Sequence, residues 1–128
     1  MTSADPPPPT LHELEALVME VVWRRGEATV RAVGDEVNAG AEQARAYTTV
    51  MTVMHRLHAK GLLARERRGR GHVYTAALTR EQYMEARAGA EVAALVDEFG
   101  DYALAHFAAR VASLDLWRRR RLRRLLRP

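Results

Sequence analysis

The 128-residue sequence contains no cysteine. This absence excludes disulfide bonds, thiolate metal sites and thiol-based catalysis, and it is typical of a cytoplasmic protein. Long apolar runs are also missing: no stretch of about 18 uncharged apolar residues occurs, so we predict no membrane span. The start, MTSADPPPPT, has neither a basic flank nor an apolar run and does not resemble a secretory signal.

Catalytic and cofactor-binding motifs are absent as well. The sequence has no glycine-rich loop for phosphate and no serine in a glycine elbow. His55 and His58 have a spacing that can place two metal ligands on one helix face, but no acid lies near them in sequence to complete a site. We therefore expect no enzyme activity, no metal and no cofactor, and no small-molecule substrate is evident.

Lysine is nearly absent, since Lys60 stands alone beside 19 arginines, which fits a source genome of high GC content. The net charge of +4 is unevenly distributed. Residues 1–44 (three arginines, eight acids) and 75–117 (three arginines, seven acids) are acidic. Residues 45–74 (seven basic residues, one acid) and 118–128 (seven arginines, no acid) are basic. Two basic blocks in an otherwise acidic chain indicate local contact with a polyanion.

Hydrophobic periodicity predicts six helices, over residues 11–25, 30–38, 46–61, 79–98, 101–112 and 115–126. The patterns Thr10-x-x-Glu13 and Thr79-x-x-Gln82 are typical of capping boxes, and Thr29 is a third candidate cap. Between the third and fourth helices, the alternating runs LLARERR (62–68) and HVYTA (72–76) flank a Gly-Arg-Gly turn. Such a pair of runs predicts a β-hairpin.

Three helices followed by a β-hairpin are the order of a winged helix-turn-helix. We predict a mainly α fold with a small β-hairpin (α+β), with the winged domain over residues 11–77. A disordered Pro-rich leader (1–10) precedes it, and a helical dimerisation region with an Arg-rich end (78–128) follows it. Because some protein-interaction modules share this fold, function has to be argued from the surface.

The third helix, AYTTVMTVMHRLHAKG, has two different faces. Four apolar residues fall within about 100° of one another and predict a buried stripe: Val50, Val53, Met54 and Leu57. The opposite side includes Thr48 and Thr52, with Thr49, Met51 and Arg56 on its flanks. Threonine has a hydroxyl that can bond a base edge or a phosphate and a methyl that can contact thymine. A solvated face is the alternative, for which threonine is a poor choice because of its low helix propensity.

The predicted hairpin strengthens the DNA-binding interpretation. Four arginines lie on or beside its turn, where they can reach a phosphate backbone: Arg65, Arg67, Arg68 and Arg70. Basic residues on an edge strand also deter aggregation, which is the alternative interpretation of the same pattern. A basic hairpin directly after a threonine-faced helix is nevertheless a joint signal for DNA.

Three segments carry a family resemblance: LHELEALVMEVVW (11–23), AYTTVMTVMHRLHAKGLL (46–63) and RGRGHVYTAALTREQY (70–83). They closely resemble the penicillinase-repressor (BlaI/MecI) family of bacterial transcription regulators. The resemblance implies a homodimeric winged-helix repressor on a two-fold-symmetric operator, controlling β-lactam-response or cell-envelope genes. In the best-known members, a membrane-bound sensor metalloprotease triggers removal of the repressor by cleavage.

Carried over by position, the resemblance implies a set of DNA-contacting residues. On the third helix they are Thr48, Thr49, Met51 and Thr52, with Arg56 and Lys60 serving phosphate contact or helix packing. On the wing they are Arg68, Arg70 and His72. The founding repressors carry cationic residues at the positions of Thr48 and Met51, so the operator preference is expected to differ. The cysteine cluster of the copper-responsive branch is missing, which excludes a thiolate copper sensor.

The resemblance also implies that the helices after the wing contact a partner protomer. The implied dimerisation residues are Tyr83, Val92, Leu95, Val96, Phe99, Leu104, Phe107 and Val111. Unmatched apolar helices usually bury against a second copy, and an intramolecular helical cap is the alternative. The family's scissile bond aligns near His106–Phe107, where histidine replaces the asparagine that precedes the cut.

The C-terminal segment RRRRLRRLLRP is unusual for the family, whose last helix is typically more acidic. Its arginines can add non-specific DNA affinity, bind an acidic surface, contact anionic lipid or form a solvated helix end. The leading hypothesis is a dimeric operator-binding repressor. A winged-helix protein-interaction module and a non-specific DNA binder driven by the arginines remain alternatives.

Overall fold

The computed structural model describes residues 6–127. Over this range the chain forms six helices and one three-stranded antiparallel sheet. In chain order the elements are α1 (Glu13–Arg25), β1 (Glu27–Ala28), α2 (Val30–Asn38), α3 (Tyr47–Ala59), β2 (Leu63–Arg68), β3 (Gly71–Ala76), α4 (Arg80–Phe99), α5 (Asp101–Ala112) and α6 (Leu116–Leu126). The predicted mainly α fold with a small β-hairpin is confirmed. The chain divides into two compact units, the first ending at Arg87 and the second beginning at Ala88.

One hydrophobic core lies in the first unit, between α1, α2, α3 and the sheet. Six of its side chains have no exposed surface: Val18, Val22, Val33, Val50, Met54 and Leu57. Three of these six belong to α3, so the buried stripe predicted for this helix is confirmed. Full burial of one such side chain stabilises a fold by about 1.5–3 kcal/mol, so α3 is firmly anchored.

Helix α1 is capped differently from the predicted Thr10-Glu13 box. The N-cap residue is His12, whose backbone N–H donates to Oε1 of Glu15 at 3.0 Å. The other carboxylate oxygen of Glu15 accepts from Nζ of Lys60 at 2.8 Å. Lys60 is distant in sequence, so a local capping pattern cannot reveal that Glu15, rather than Glu13, is the fixed acid. The predicted start of this helix is therefore corrected by two residues.

The other two predicted caps are confirmed. The hydroxyl of Thr29 accepts from the backbone N–H of Ala32 at 3.1 Å and opens α2. Ahead of α4, the N–H of Gln82 donates to the hydroxyl of Thr79 at 3.0 Å, and the side-chain oxygen of Gln82 accepts from the N–H of Thr79 at 2.9 Å. Both motifs depend only on residues within one helical turn, which makes them readable from sequence.

The predicted hairpin has an additional strand beside it. β2 and β3 pair antiparallel along their whole length, and Gly69 and Arg70 form the turn. The two-residue strand β1 pairs with the other edge of β3, with Ala28 opposite Tyr74, so the sheet order is β1-β3-β2. Two residues carry no periodicity, and β1 therefore has no signal in the sequence.

Part of the predicted disordered leader, residues 1–5, lies outside the described residues. Residues 6–10 form no helix or strand, yet two of their carbonyl groups contact α4. The hydroxyl of Tyr83 donates to the carbonyl of Pro9 at 2.8 Å, and a guanidinium nitrogen of Arg87 donates to that of Pro8 at 3.1 Å. This end of the leader is therefore held against the first turns of α4.

The second unit contains the rest of α4 together with α5 and α6. The carboxylate of Asp115 caps α6 by accepting from the N–H of Arg118 at 2.8 Å. Arg119 of α6 donates to the carbonyls of Ala112 and Leu114 at 2.7 and 3.1 Å, and so satisfies the end of α5. Of the helices between residues 6 and 127, none has the length and apolar character to cross a bilayer.

Candidate nucleic-acid interface

Helix α3 presents a polar face to solvent, opposite its buried stripe. Its exposed side chains include Thr48, Thr49, Thr52, His55 and Arg56. Met51 is only half-buried and packs against the edge of the core. The face therefore consists of short hydroxyl-bearing side chains with one long cation, an arrangement that allows close approach to base edges. Whether these residues contact DNA stays a prediction.

The exposed threonines of α3 line one side of a groove whose other side is the start of α1. On the α1 side the groove is lined by His12, Leu14 and Glu15. His12 thus lies near the face of α3 that is predicted to contact DNA, although no sequence motif indicates this position. Its place follows from the packing of α1 against α3, which brings together residues about 40 positions apart.

The wing has two chemically different faces. Residues directly opposite each other on antiparallel strands point to the same side of a sheet. Arg65 is opposite Tyr74, and Arg67 is opposite His72. Because Tyr74 is buried in the core, both arginines lie on the sheet face that is turned toward α3. We call this the inner face of the wing.

The outer face of the wing is neutralised by carboxylates. Two nitrogens of Arg68 donate to the two carboxylate oxygens of Glu27 at 3.0 and 3.2 Å, and a third lies 3.5 Å from Glu66. The hydrogen bonds to Glu27, and then its charge, raise the pKa of Arg68 above its ordinary value. Arg68 is thus engaged within the sheet, which makes it a weaker candidate for phosphate contact than Arg65 and Arg67.

The inner face of the wing continues onto α3 as a basic surface. This wing–helix surface consists of His55, His58, Arg65, Arg67 and His72, and Arg70 is exposed at the turn beside it. Burial lowers the pKa of His72, and the charges of Arg65, Arg67 and the two α3 histidines lower it further. The lowered pKa favours the neutral form of His72, which can form a hydrogen bond but adds no charge. Among residues 6–127, no three His, Asp or Glu side chains are arranged to hold a metal ion.

Lys60 is half-buried, and its ammonium group pairs with a buried carboxylate. Its ion pair with Glu15, 2.8 Å long, involves a carboxylate with only 1% of its surface exposed. Burial by itself raises the pKa of Glu15, but the hydrogen bonds from Lys60 and from the N–H of His12 outweigh burial and hold the pKa below its ordinary value. Of the two roles expected for Lys60, helix packing is the one that this geometry supports. The pair joins the end of α3 to the start of α1.

Comparison with known proteins identifies the family. The sequence pattern of the penicillinase repressor family matches residues 11–127. The chain belongs to the penicillinase repressor family. The transcriptional regulator BlaI of Mycobacterium tuberculosis, in strains CDC 1551 / Oshkosh and H37Rv, is 39% identical over an aligned length of 108 residues. The alignment covers 80% of this chain and 75% of that regulator. The resemblance predicted from the sequence is confirmed, and the family consists of transcriptional repressors rather than enzymes.

A solved structure of a related repressor matches the first part of the chain. The solution structure of the DNA-binding domain of the repressor BlaI superposes with a TM-score of 0.51 at 28% identity, covering 59% of this chain and 90% of that domain. This match supports the winged-helix fold derived above.

The predicted dimerisation residues of this penicillinase repressor are mostly exposed. Five large apolar side chains have 41–50% of their surface exposed: Val92, Leu95, Phe99, Leu104 and Val111. Val96 and Phe107 are half-buried. Tyr83 differs, because it is only 6% exposed and its ring centroid lies 5.6 Å from that of Trp23. Tyr83 is a core residue of the first unit and is not available to a partner chain.

The candidate cleavage site, His106–Phe107, lies in the middle of α5. Proteases act preferentially on exposed, loosely held segments, whereas the backbone of a helix interior is hydrogen-bonded. Cleavage at this bond therefore requires that α5 unwind locally first. The geometry gives His106–Phe107 no exposed loop of the kind that a protease usually cuts.

Proposed function

We propose that this penicillinase repressor binds a dyad-symmetric operator as a homodimer and represses the adjoining genes, among them genes of the β-lactam response or the cell envelope. One observation carries the proposal: α3 is anchored by a fully buried stripe while its other face presents Thr48, Thr49 and Thr52 to solvent. An exposed, short-chained helix face beside a basic surface is what insertion into a major groove requires.

Each part of the interface has a distinct role in this proposal. The threonines of α3 face base edges, where their hydroxyl and methyl groups discriminate between bases. Arg56, Arg65 and Arg67 neutralise phosphates and so fix the position of α3 in the groove. Because two cations expected from the founding repressors are replaced by Thr48 and Met51, base recognition depends more on apolar contact and hydroxyl groups.

The exposed apolar residues of α4 and α5 support a homodimer. Monomeric proteins rarely leave several large apolar side chains together at such exposure, and a two-fold dimer is the commonest way to cover them. A dimer engages two half-sites at once, which raises the affinity for a dyad-symmetric operator far above that for a single half-site.

The proposal is tested by selecting bound fragments from sheared genomic DNA with the full chain. The expected result is a dyad-symmetric motif near promoters, and it should disappear when Thr48, Thr49 and Thr52 are all replaced by alanine. Recovery of fragments without any shared motif contradicts operator recognition and indicates a non-specific DNA binder. If no DNA is recovered, the result favours the alternative that the winged-helix fold serves protein interaction.

We further propose that a membrane-bound sensor metalloprotease relieves repression. The support is family membership alone, since the bond between His106 and Phe107 lies within α5. After β-lactam treatment of the source cells, immunoblotting should show a shortened repressor as the target genes are induced. Induction with the full-length chain intact contradicts release by proteolysis.

A further inference from the structure

Helix α6 carries positive charge that has no role in the operator binding proposed for α3 and the wing. Six of its eleven residues are arginine: Arg118, Arg119, Arg120, Arg121, Arg123 and Arg124. Within residues 6–127, no carboxylate forms an ion pair with any of them. Like charges at this density repel one another, so α6 is electrostatically unsatisfied in the isolated chain.

The two sides of α6 differ in what they contact. Leu122 and Leu126 line a groove together with Ala108 and Val111 of α5. On the same side, Arg119 donates hydrogen bonds to carbonyl groups at the end of α5. At about 100° per residue, three arginines fall within roughly 100° of one another on the side away from this groove. They are Arg120, Arg121 and Arg124. Together with Trp117, which has 71% of its surface exposed, they form the arginine face of α6.

We propose that the arginine face of α6 binds the phosphate backbone of double-stranded DNA, as a second contact that does not depend on base sequence. The guanidinium group matches phosphate geometry in a bidentate manner and cannot lose its proton, so its contact with phosphate persists at any physiological pH. The proposal rests on the proposed function in one respect, namely that the chain acts on DNA. It assigns to this helix a part of the salt-dependent affinity, in addition to that of Arg56, Arg65 and Arg67, and leaves base recognition to α3.

The arrangement favours DNA over an anionic membrane. A helix that lies on a bilayer needs a broad, continuous apolar face. In α6 the residues Leu122, Leu125 and Leu126 fall within about 100° of one another, and two of them, Leu122 and Leu126, line the groove with α5. Three leucines form this stripe against six arginines in the helix, so the apolar face is too narrow to hold α6 on a bilayer.

The arrangement also disfavours pairing of α6 with its own copy. In a two-fold dimer the same surface meets itself, and two arginine faces would place like charges opposite each other without a carboxylate between them. Duplex DNA, by contrast, carries one negative charge per about 1.7 Å of helix axis. Such a polyanion matches the charge density of the arginine face.

The test compares the full-length wild type with the triple variant R120Q/R121Q/R124Q on a duplex of random sequence. Glutamine keeps the helix propensity of arginine, and circular dichroism checks that α6 is retained. Between about 50 and 200 mM salt, the slope of log Kd against log salt should fall by about 0.9 for each phosphate that the variant no longer neutralises, or roughly 2–3 in total. Two single variants provide the matched control. R110Q removes an exposed arginine from α5, and R124Q removes one from the arginine face of α6. R110Q should change the slope less than R124Q does.

An unchanged slope in the triple variant would overturn the proposal. Two further comparisons of the wild type with the triple variant can also contradict the proposal. If only the triple variant fails to bind phosphatidylglycerol vesicles, the arginine face binds lipid. If only the triple variant loses the mass of a dimer in solution, the arginine face contacts a second copy of the chain. The outcome is separable from the proposed function, because a fall in slope on random DNA supports the α6 contact even where genomic selection finds no operator motif.

Discussion

At the scale of single residues, Glu15 and Lys60 fix the position of helix α3 against α1. Glu15 is the one charged side chain among the buried residues of the described chain, and it accepts from both the N–H of His12 and Nζ of Lys60. Removing one partner from a buried pair leaves the other charge without compensation. The orientation of α3 relative to α1 is therefore expected to depend on this pair.

Lys60→Met should lower the free energy of unfolding by roughly 3 kcal/mol, because it leaves a buried carboxylate unpaired. Chemical denaturation of the purified variant measures the loss. The double variant E15Q/K60M is the control, since glutamine still accepts from His12 but carries no charge, and it should recover a large part of the stability. Equal losses in the single and double variants would show that poorer packing, and not the buried charge, is responsible.

The same pair predicts a pH dependence of stability. Hydrogen bonds hold the pKa of Glu15 below its ordinary value of 4.5, so folding favours the charged form. The stability that Glu15 contributes is thus fully present above pH 4.5 and is lost as the pH falls through its lowered pKa. Unfolding measured from pH 6 downward should show a smaller decline for E15Q than for the wild type. Parallel declines in the two proteins would contradict this assignment.

Thr52 tests base recognition at the level of one side chain. Thr52→Ala should weaken binding to a selected operator about tenfold, or by ~1.4 kcal/mol, while affinity for random DNA stays the same. Because Thr52 is exposed, thermal stability should change little. Thr10→Ala, an exposed threonine outside all helices, is the matched control and should leave operator binding intact. A proportional loss on operator and random DNA would assign Thr52 to phosphate instead.

At the scale of secondary-structure elements, features that depend on neighbouring residues can be predicted from the sequence, and features that depend on distant residues cannot. The Thr29 and Thr79 caps, the β2–β3 hairpin and the buried stripe of α3 each depend on residues within one element, and the sequence predicts them correctly. Strand β1 and the α1 cap depend on β3 and on Lys60. Neither partner is adjacent in sequence, so neither feature leaves a local pattern.

The same distinction applies to the candidate site. The threonine face of α3 follows from helical periodicity alone, and the structure shows it exposed as expected. The pairing of Arg68 with Glu27, which joins residues 41 positions apart, cannot be read from the arginine run of the hairpin. For this reason the sequence does not distinguish Arg68 from Arg65 and Arg67, although the sheet places them on opposite faces.

Two glycines of the second unit predict opposite responses to the same substitution. Gly89 lies inside α4 with nothing within 4 Å of an added Cβ, so Gly89→Ala should stabilise the protein by roughly 1 kcal/mol. Gly100, between α4 and α5, has φ of 58°, and Gly100→Ala should destabilise it by about 1–2 kcal/mol. Thermal unfolding of the two variants measures both effects. Destabilisation by Gly89→Ala would instead show that another chain approaches α4 closely at this position.

At the scale of the whole molecule, the exposed apolar residues predict the oligomeric state. Light scattering should give the wild type twice the mass of the 14.4 kDa chain. Leu95→Asp places a charge on the apolar side of α4 and should shift the protein toward monomer, with weaker binding to a full operator. Ala93→Asp, on a different side of the same helix, is the control and should remain dimeric. A monomeric wild type would contradict the homodimer.

The two-faced design of α3 has an evolutionary consequence. Changes at the buried positions cost about 2–5 kcal/mol, whereas changes at the exposed threonines cost little stability. Under the proposed function, natural variation can therefore alter base preference without endangering the fold. Duplicated copies of such a gene can then diverge to recognise separate promoters through a few substitutions at Thr48, Thr49 and Thr52. Crosstalk between sister regulators in one genome is thus avoidable at almost no thermodynamic cost.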